Sequence, residues 1–172
     1  MPELIPFLNK NDIDRMVADV ARRISSDYQN RELILIGVLK GAFIFVSDLI
    51  RHLTVPAEID FVRVRSYGAD TSSSGNVQLT KEIETDIENK HVLIVEDIID
   101  TGLTLKYIVD YLSSFGPESV RVCTLLDKRE CRMTDIGADY ICSVVGDSFL
   151  VGYGLDYAEK YRNLPEIYHM EL

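Results

Sequence analysis

The sequence predicts an α/β fold in which helices flank a mostly parallel sheet. Two observations carry this. Three short runs, LILIGV (Leu33 to Val38), HVLIVE (His91 to Glu96) and VRVCTLL (Val120 to Leu126), are largely apolar, as strands buried on both faces are. Segments with apolar residues at helical spacing alternate with them, which is the pattern of a parallel sheet with crossover helices.

The elements follow in order. Ile13, Met16, Val17, Val20 and Ile24 share one face of a helix, with Asn11 as its expected N-cap. After strand Leu33 to Val38 comes LKGA, and then Phe43 to Leu53 reads as a helix that Pro56 breaks. EIDFVRV (Glu58 to Val64) reads as a strand. SYGADTSSSGN (Ser66 to Asn76) is small, polar and glycine-flanked, and reads as a loop. His91 to Glu96 runs through DIIDTG into an amphipathic helix, Leu103 to Ser114, ended by Phe115-Gly116-Pro117. Val120 to Leu126 and ADYICSVV (Ala138 to Val145) are further strands. Asp147 to Leu172 is rich in Tyr and Gly and shows no clear period, so it is expected to cap one end of the sheet. The expectation is one domain over 1–172. Its core spans roughly 9–138, and a small hood over the carboxyl ends of the strands is built from 139–172 and the N-terminal residues.

Composition narrows the function. The 172 residues hold 18 Lys and Arg against 28 Asp and Glu, a net charge of −10. A protein that binds nucleic acid by neutralising phosphates needs the opposite sign, so no nucleic-acid partner is expected. The most apolar stretch, Leu33 to Val46, contains Lys40 and is shorter than the ~20 residues of a membrane span, so no membrane partner is expected either. MPELIPFLNKNDID has no basic region followed by an apolar run, which speaks against a secretory leader. Three cysteines without a C-x-x-C fit a reduced, cytoplasmic protein. The three histidines form no H-E-x-x-H.

In such sheets ligands sit beyond the carboxyl ends of the strands, which draws attention to LKGA, EDIIDTG and DKRE. In VLIVEDIIDTGLT, four hydrophobes lead to Glu96 and Asp97, and Asp100 follows three residues after Asp97. The chain then turns through Thr101 and Gly102 into a helix with Thr104 in its first turn. Free N–H groups at a helix N-terminus, a glycine and two hydroxyls suit one phosphate group. The paired acids would repel it, and instead suit sugar hydroxyls or a magnesium ion shared with the ligand. The combination points to a phosphorylated sugar with a metal. A capped helix with solvated acids is the plainer alternative. No G-x-x-x-x-G-K-[ST] occurs, which excludes a Walker A loop.

Val92 to Thr104 resembles the phosphoribosyl-pyrophosphate loop of type I phosphoribosyltransferases. VLKGA (Val38 to Ala42), RSYG (Arg65 to Gly68), LLDKRE (Leu125 to Glu130) and FLVGYGLDYAEKYRNLP (Phe149 to Pro165) narrow the resemblance to the hypoxanthine-guanine branch. It implies Mg²⁺-dependent transfer of a 5-phosphoribosyl group from 5-phosphoribosyl-1-pyrophosphate to a 6-oxopurine base in purine salvage, by a homo-oligomer, dimer or tetramer. The alternatives are a regulator of the same fold that binds nucleic acid, or an enzyme preferring xanthine or adenine.

The resemblance also implies roles. Glu96, Asp97, Ile98, Ile99, Asp100, Thr101, Gly102, Leu103 and Thr104 form the phosphoribosyl-binding loop. Asp100 is the expected general base, accepting the proton on purine N7; an N-cap role is its alternative. Lys40, Gly41 and Arg162 are expected on the pyrophosphate, with a cis peptide at Leu39–Lys40. Lys128, a donor only, would read the C6 carbonyl and disfavour the amino group of adenine. Phe149 would stack on the purine, Leu150 would offer backbone contacts to its edge, and Asp156 would approach its 2-position. Glu96, Asp97 and Asp156 are the expected metal ligands. Ser66 and Tyr67 are the expected inward-facing residues of a lid that keeps water off an oxocarbenium-like centre. A strongly anionic co-substrate approaching a chain of net charge −10 needs a local reversal of sign, which Lys40, Arg162, the helix N-terminus and magnesium would supply.

Overall fold

The computed structural model describes residues 2–66 and 77–172. Along them run β1 (Glu3–Leu8), α1 (Lys10–Asp27), β2 (Leu33–Leu39), α2 (Phe43–His52), β3 (Ala57–Ser66), β4 (Val77–Lys81), β5 (His91–Ile99), α3 (Leu103–Ser113), β6 (Ser119–Asp127), β7 (Tyr140–Val144), β8 (Leu150–Val151) and β9 (Ile167–Glu171).

Six strands form one sheet in the order β4-β3-β2-β5-β6-β7. The five from β3 to β7 in that order are parallel, and β4 adds an antiparallel edge on β3. This is the expected α/β architecture. Because side chains alternate across a strand, β2 and β5 feed two cores. Leu33, Leu35, Leu93 and Val95 pack with Ile13, Val17, Val20 and Ile24 of α1 and with Phe45 and Leu49 of α2. Ile34, Ile36, Val92 and Ile94 pack on the other face with Leu105, Ile108 and Leu112 of α3. Burying each of these side chains contributes roughly 2 kcal/mol.

Four expectations need correction. The N-cap of α1 is Asn9, not Asn11: its side chain accepts from Asp12 N–H at 2.8 Å, and Asp12 Oδ2 accepts from Asn9 N–H at 3.3 Å. Asn9 has the acidic residue three positions on that a reciprocal capping box needs. The strand expected over His91 to Glu96 continues to Ile99, because β6 keeps pairing with it through Ile99↔Asp127. The boundary expected after 138 moves, since β7 pairs in parallel with β6 and belongs to the large sheet. The last stretch is not without regular structure: β1, β9 and β8 form a separate antiparallel sheet of three strands. Ser66 ends β3 opposite Val77, and the rest of the expected lid, including Tyr67, lies outside the described residues.

A candidate active site where two strands part

Pairing between β2 and β5 ends at Gly37↔Val95, whereas β5 stays on β6 as far as Ile99↔Asp127. The crossovers from β2 and β5 also leave in opposite directions, α2 to one face and α3 to the other. Such a topological switch point opens a crevice at the carboxyl ends of the strands. A cavity of about 260 Å³ lies there, lined by Leu39 and Gly41 on one side and by Glu96 through Gly102, with Thr104 and Leu105, on the other.

Glu96 is buried and Asp97 half-buried in the cavity wall. Asp97 N–H donates to Glu96 Oε1 at 3.2 Å, and Ile98 N–H to Asp97 Oδ1 at 2.7 Å. Burial first, and then the neighbouring charge of Asp97, push Glu96 well above the usual carboxylate range. Burial raises Asp97 too, against hydrogen bonds and the charge of Arg162. Both carboxylates are thus harder to ionise here than in water. A β-carbon on Gly41 would stand 1.8 Å from Asp97 Oδ2, so only glycine lets the LKGA backbone approach that carboxylate.

The turn after β5 is made by Gly102, which caps α3 at φ 86°, a left-handed conformation. Asp100 is thus not the cap, and its half-exposed carboxylate is free of that task. Gly102 has no side chain with which to cap α3, and Thr104 and Leu105 of its first turn line the cavity. First-turn N–H groups have no intrahelical acceptor, an arrangement that suits an anion. Thr101 Oγ1 accepts from Leu103 N–H at 3.3 Å, which leaves its hydroxyl proton available.

On the far side of the turn, Lys128 N–H donates to Ile99 O at 2.9 Å. The Lys128 side chain is only 9% exposed, and its ammonium lies 3.8 Å from Asp100 Oδ2 and 4.0 Å from Asp147 Oδ1. Leu150 is buried at the start of β8. Phe149 is partly exposed, edge-on to Tyr157 at 5.6 Å between centroids. Cys131 faces the same acids. The carboxylate of Asp147 beside it pushes the thiol up to about 11, which disfavours the thiolate.

The remaining predicted residues gather where the segment after β8 meets the end of β2. The Leu39–Lys40 peptide is cis. Lys40 Nζ reaches Glu159 Oε2 at 2.9 Å, and Arg162 donates to Gly154 O at 2.7 Å. Asp156 Oδ1 lies 3.3 Å from Arg162 Nη2, and Asp156 Oδ2 accepts from Glu159 N–H at 2.8 Å. Both Asp156 oxygens are thus engaged within their own segment. Among the described residues no three His, Cys, Asp or Glu side chains converge as a metal cage. Glu96, Asp97 and Asp156 therefore form no single cluster.

A family model, the phosphoribosyl transferase domain, matches residues 7–158. The chain belongs to the phosphoribosyl transferase family. It is 47% identical over 166 residues to the hypoxanthine-guanine phosphoribosyltransferase of Aquifex aeolicus, covering 96% of this chain and 93% of that protein. It is 46% identical over 161 residues to the protein of that name from Bacillus subtilis, covering 94% and 89%. A crystal structure of a hypoxanthine-guanine phosphoribosyltransferase from Bacillus anthracis, with HEPES in its active site, superposes with a TM-score of 0.93 at 43% identity, covering 97% and 99%.

Two features of this phosphoribosyltransferase escape the sequence reading. Arg132 donates to Asp100 O at 3.3 Å and to Ile136 O, and pairs with the buried carboxylate of Asp127. With Met133 N–H on Thr101 O at 2.8 Å, it ties the segment after β6 to the turn that carries Asp100. The charge run DKRECR was the available signal, but nothing in it separates the inward Arg132 from the exposed Arg129. The other is Glu159, whose partners lie across the fold.

Proposed function

We propose that the protein transfers the 5-phosphoribosyl group of 5-phosphoribosyl-1-pyrophosphate to hypoxanthine or guanine in purine salvage, releasing pyrophosphate. The bond from C1′ to the pyrophosphate oxygen breaks with its electron pair leaving on pyrophosphate. The bond from C1′ to purine N9 forms, and the N7 proton passes to Asp100. The observation that carries this reading is the Lys128 ammonium 3.8 Å from the Asp100 carboxylate, a donor for a carbonyl oxygen beside a proton acceptor.

In this reading the N–H groups at the start of α3, with Thr101 and Thr104, hold the 5-phosphate. Glu96 and Asp97 hold the ribose side, Lys40, Gly41 and Arg162 face the pyrophosphate, and Phe149 and Leu150 flank the base. The three-stranded sheet with the segment after it serves as the hood, and Ser66 and Tyr67 belong to the lid. The adjacent, desolvated carboxylates Glu96 and Asp97 suit a magnesium ion completed by ligand oxygens, because magnesium takes one or two carboxylates and draws the rest from phosphates and water. Such an ion would neutralise charge building on the leaving group. Asp156 would join only after giving up its partners in the loop.

The relatives are named as transferases, which does not favour the nucleic-acid-binding alternative. The reading includes a cytoplasmic homo-oligomer, dimer or tetramer. Among the described residues no helix is long and apolar enough to cross a membrane. The test is a kcat/KM series over hypoxanthine, guanine, xanthine and adenine with phosphoribosyl-pyrophosphate and magnesium, reading pyrophosphate release. Magnesium-dependent turnover of the 6-oxopurines and rejection of adenine are expected. Absence of nucleotide from every 6-oxopurine overturns the reading.

A further inference from the structure

The two cations assigned to pyrophosphate already share an anion. Glu159 Oε2 lies 2.9 Å from Lys40 Nζ, and Oε1 lies 3.4 Å from Arg162 Nη2. Each carboxylate oxygen thus takes one cation, as two oxygens of a bridging phosphate would. The carboxylate is held there by an unfavourable turn. Tyr157 and Lys160 exchange both backbone hydrogen bonds, at 3.1 and 3.0 Å, across the two-residue loop Ala158-Glu159. Both loop residues have positive φ, 50° and 64°. A turn of this type favours Asn and Gly, and an Ala-Glu pair adopts it at a cost. Asp156 pins the turn by accepting the Glu159 N–H. Arg162 meanwhile keeps Nε buried and without a partner among the described residues, an unmet donor next to the pair.

We propose that Glu159 is a displaceable stand-in for pyrophosphate, holding Lys40 and Arg162 together in the empty site and yielding them when pyrophosphate arrives. The inference rests on the pyrophosphate role given to Lys40 and Arg162 above. It makes Glu159 a positioning residue that competes with the ligand. Glu159 is 63% exposed at its side chain, so it can swing into solvent without breaking a core contact. A carboxylate tethered beside its two cations acts at high effective concentration, which weakens an external anion. It also opposes loss of pyrophosphate less than an empty pair of cations would, because the carboxylate is there to replace the leaving product.

The experiment is magnesium-pyrophosphate binding to the whole protein and to Glu159→Gln, with KM for both substrates alongside. Two ion pairs of ordinary strength on one exposed carboxylate give a pyrophosphate Kd about 3- to 10-fold lower in the variant. KM for phosphoribosyl-pyrophosphate falls with it, and KM for the purine stays put, a split that a merely structural role would not produce. Glu159→Ala shows the same sign and guards against a residual amide contact to Lys40. Thermal midpoints within a few degrees of the parent show that both variants are folded. If the parent binds pyrophosphate and neither variant binds it more tightly, the stand-in role is wrong and the proposed function stands. If the parent binds no pyrophosphate, both fall.

Discussion

The buried ammonium of Lys128 and the carboxylate of Asp100 face each other at 3.8 Å across the crevice that opens beyond β5. Neither position alone explains the other. Asp100 is free because Gly102 caps α3, and Lys128 is turned inward because its own N–H is bound to Ile99 O at 2.9 Å. A 6-oxopurine presents O6 and N7 on one edge. The pair matches that edge with a donor and a proton acceptor.

Asp100→Asn keeps the shape and one acceptor oxygen but cannot take a proton. It is expected to lower kcat by ~10²–10⁴ with phosphoribosyl-pyrophosphate binding nearly intact. Pre-steady-state turnover beside a binding titration separates the two, and an unchanged kcat removes Asp100 from the role of base.

Lys128→Ala deletes a charged hydrogen-bond donor, worth about 10–100-fold on a substrate that uses it. The expected result is a fall of that size in the ratio of kcat/KM for hypoxanthine to that for adenine. If the variant rejects adenine as strongly as the parent, another group reads the C6 oxygen.

What the sequence discloses depends on how local each signal is. The strands β2 and β5 are legible because both faces are buried, so the apolar run is unbroken. The loop from Glu96 to Thr104 is legible because its parts are contiguous and each has its own chemistry. The three-stranded sheet is not legible. In β1, ELIPFL carries Pro6, which argues against a strand, and its partner β9 lies at the other end of the chain. Glu159 is hidden for the same reason, 119 residues from the lysine it binds. Asp127 and Arg132 are close in sequence, but only the packing shows that their pairing is buried and linked to the Asp100 carbonyl.

Gly41→Ala places a β-carbon 1.8 Å from Asp97 Oδ2 and 2.7 Å from its Cγ. Either the LKGA backbone retreats or Asp97 leaves the cavity wall, and both disturb the side proposed to face the pyrophosphate. KM for phosphoribosyl-pyrophosphate is expected to rise about 10-fold or more, since a misplacement near 1 Å has effects of that order and larger. The purine KM is the control. A variant with both KM values unchanged refutes the close approach as a requirement.

Glu96→Gln separates stability from function. The buried acid beside Asp97 binds its proton more tightly in the folded protein than in the unfolded chain, whose ordinary value is near 4.5. Its cost to the metal-free protein is therefore absent below 4.5 and grows as pH rises toward the raised folded value. At neutral pH the glutamine variant in EDTA is expected to be about 1–2 kcal/mol more stable than the parent. With magnesium it is expected to lose about 10–100-fold in kcat/KM for phosphoribosyl-pyrophosphate. Urea midpoints across pH 4 to 8 read the first effect. A variant less stable than the parent throughout shows that Glu96 is not a buried electrostatic burden.

Asp60 shows the opposite sign, and it fixes the base of the hairpin that leads into the expected lid. Its carboxylate accepts from the N–H groups of Phe61, Glu84 and Thr85 at 2.7, 2.6 and 2.9 Å, and from Lys81 at 3.3 Å. Burial alone would raise it, but these four donors together outweigh burial and hold it at about 2, below its ordinary 3.8. The folded value lies below the unfolded one, so this contribution is complete above 3.8 and is lost as pH falls through about 2. The shift corresponds to roughly 2 kcal/mol. Asp60→Asn is expected to be less stable than the parent by about that amount at pH 7. The gap should narrow between pH 4 and pH 2 in urea unfolding, because the parent then protonates toward the same neutral state. A gap that stays constant across that range shows that packing, and not the charge on Asp60, holds β3 to the turn after β4.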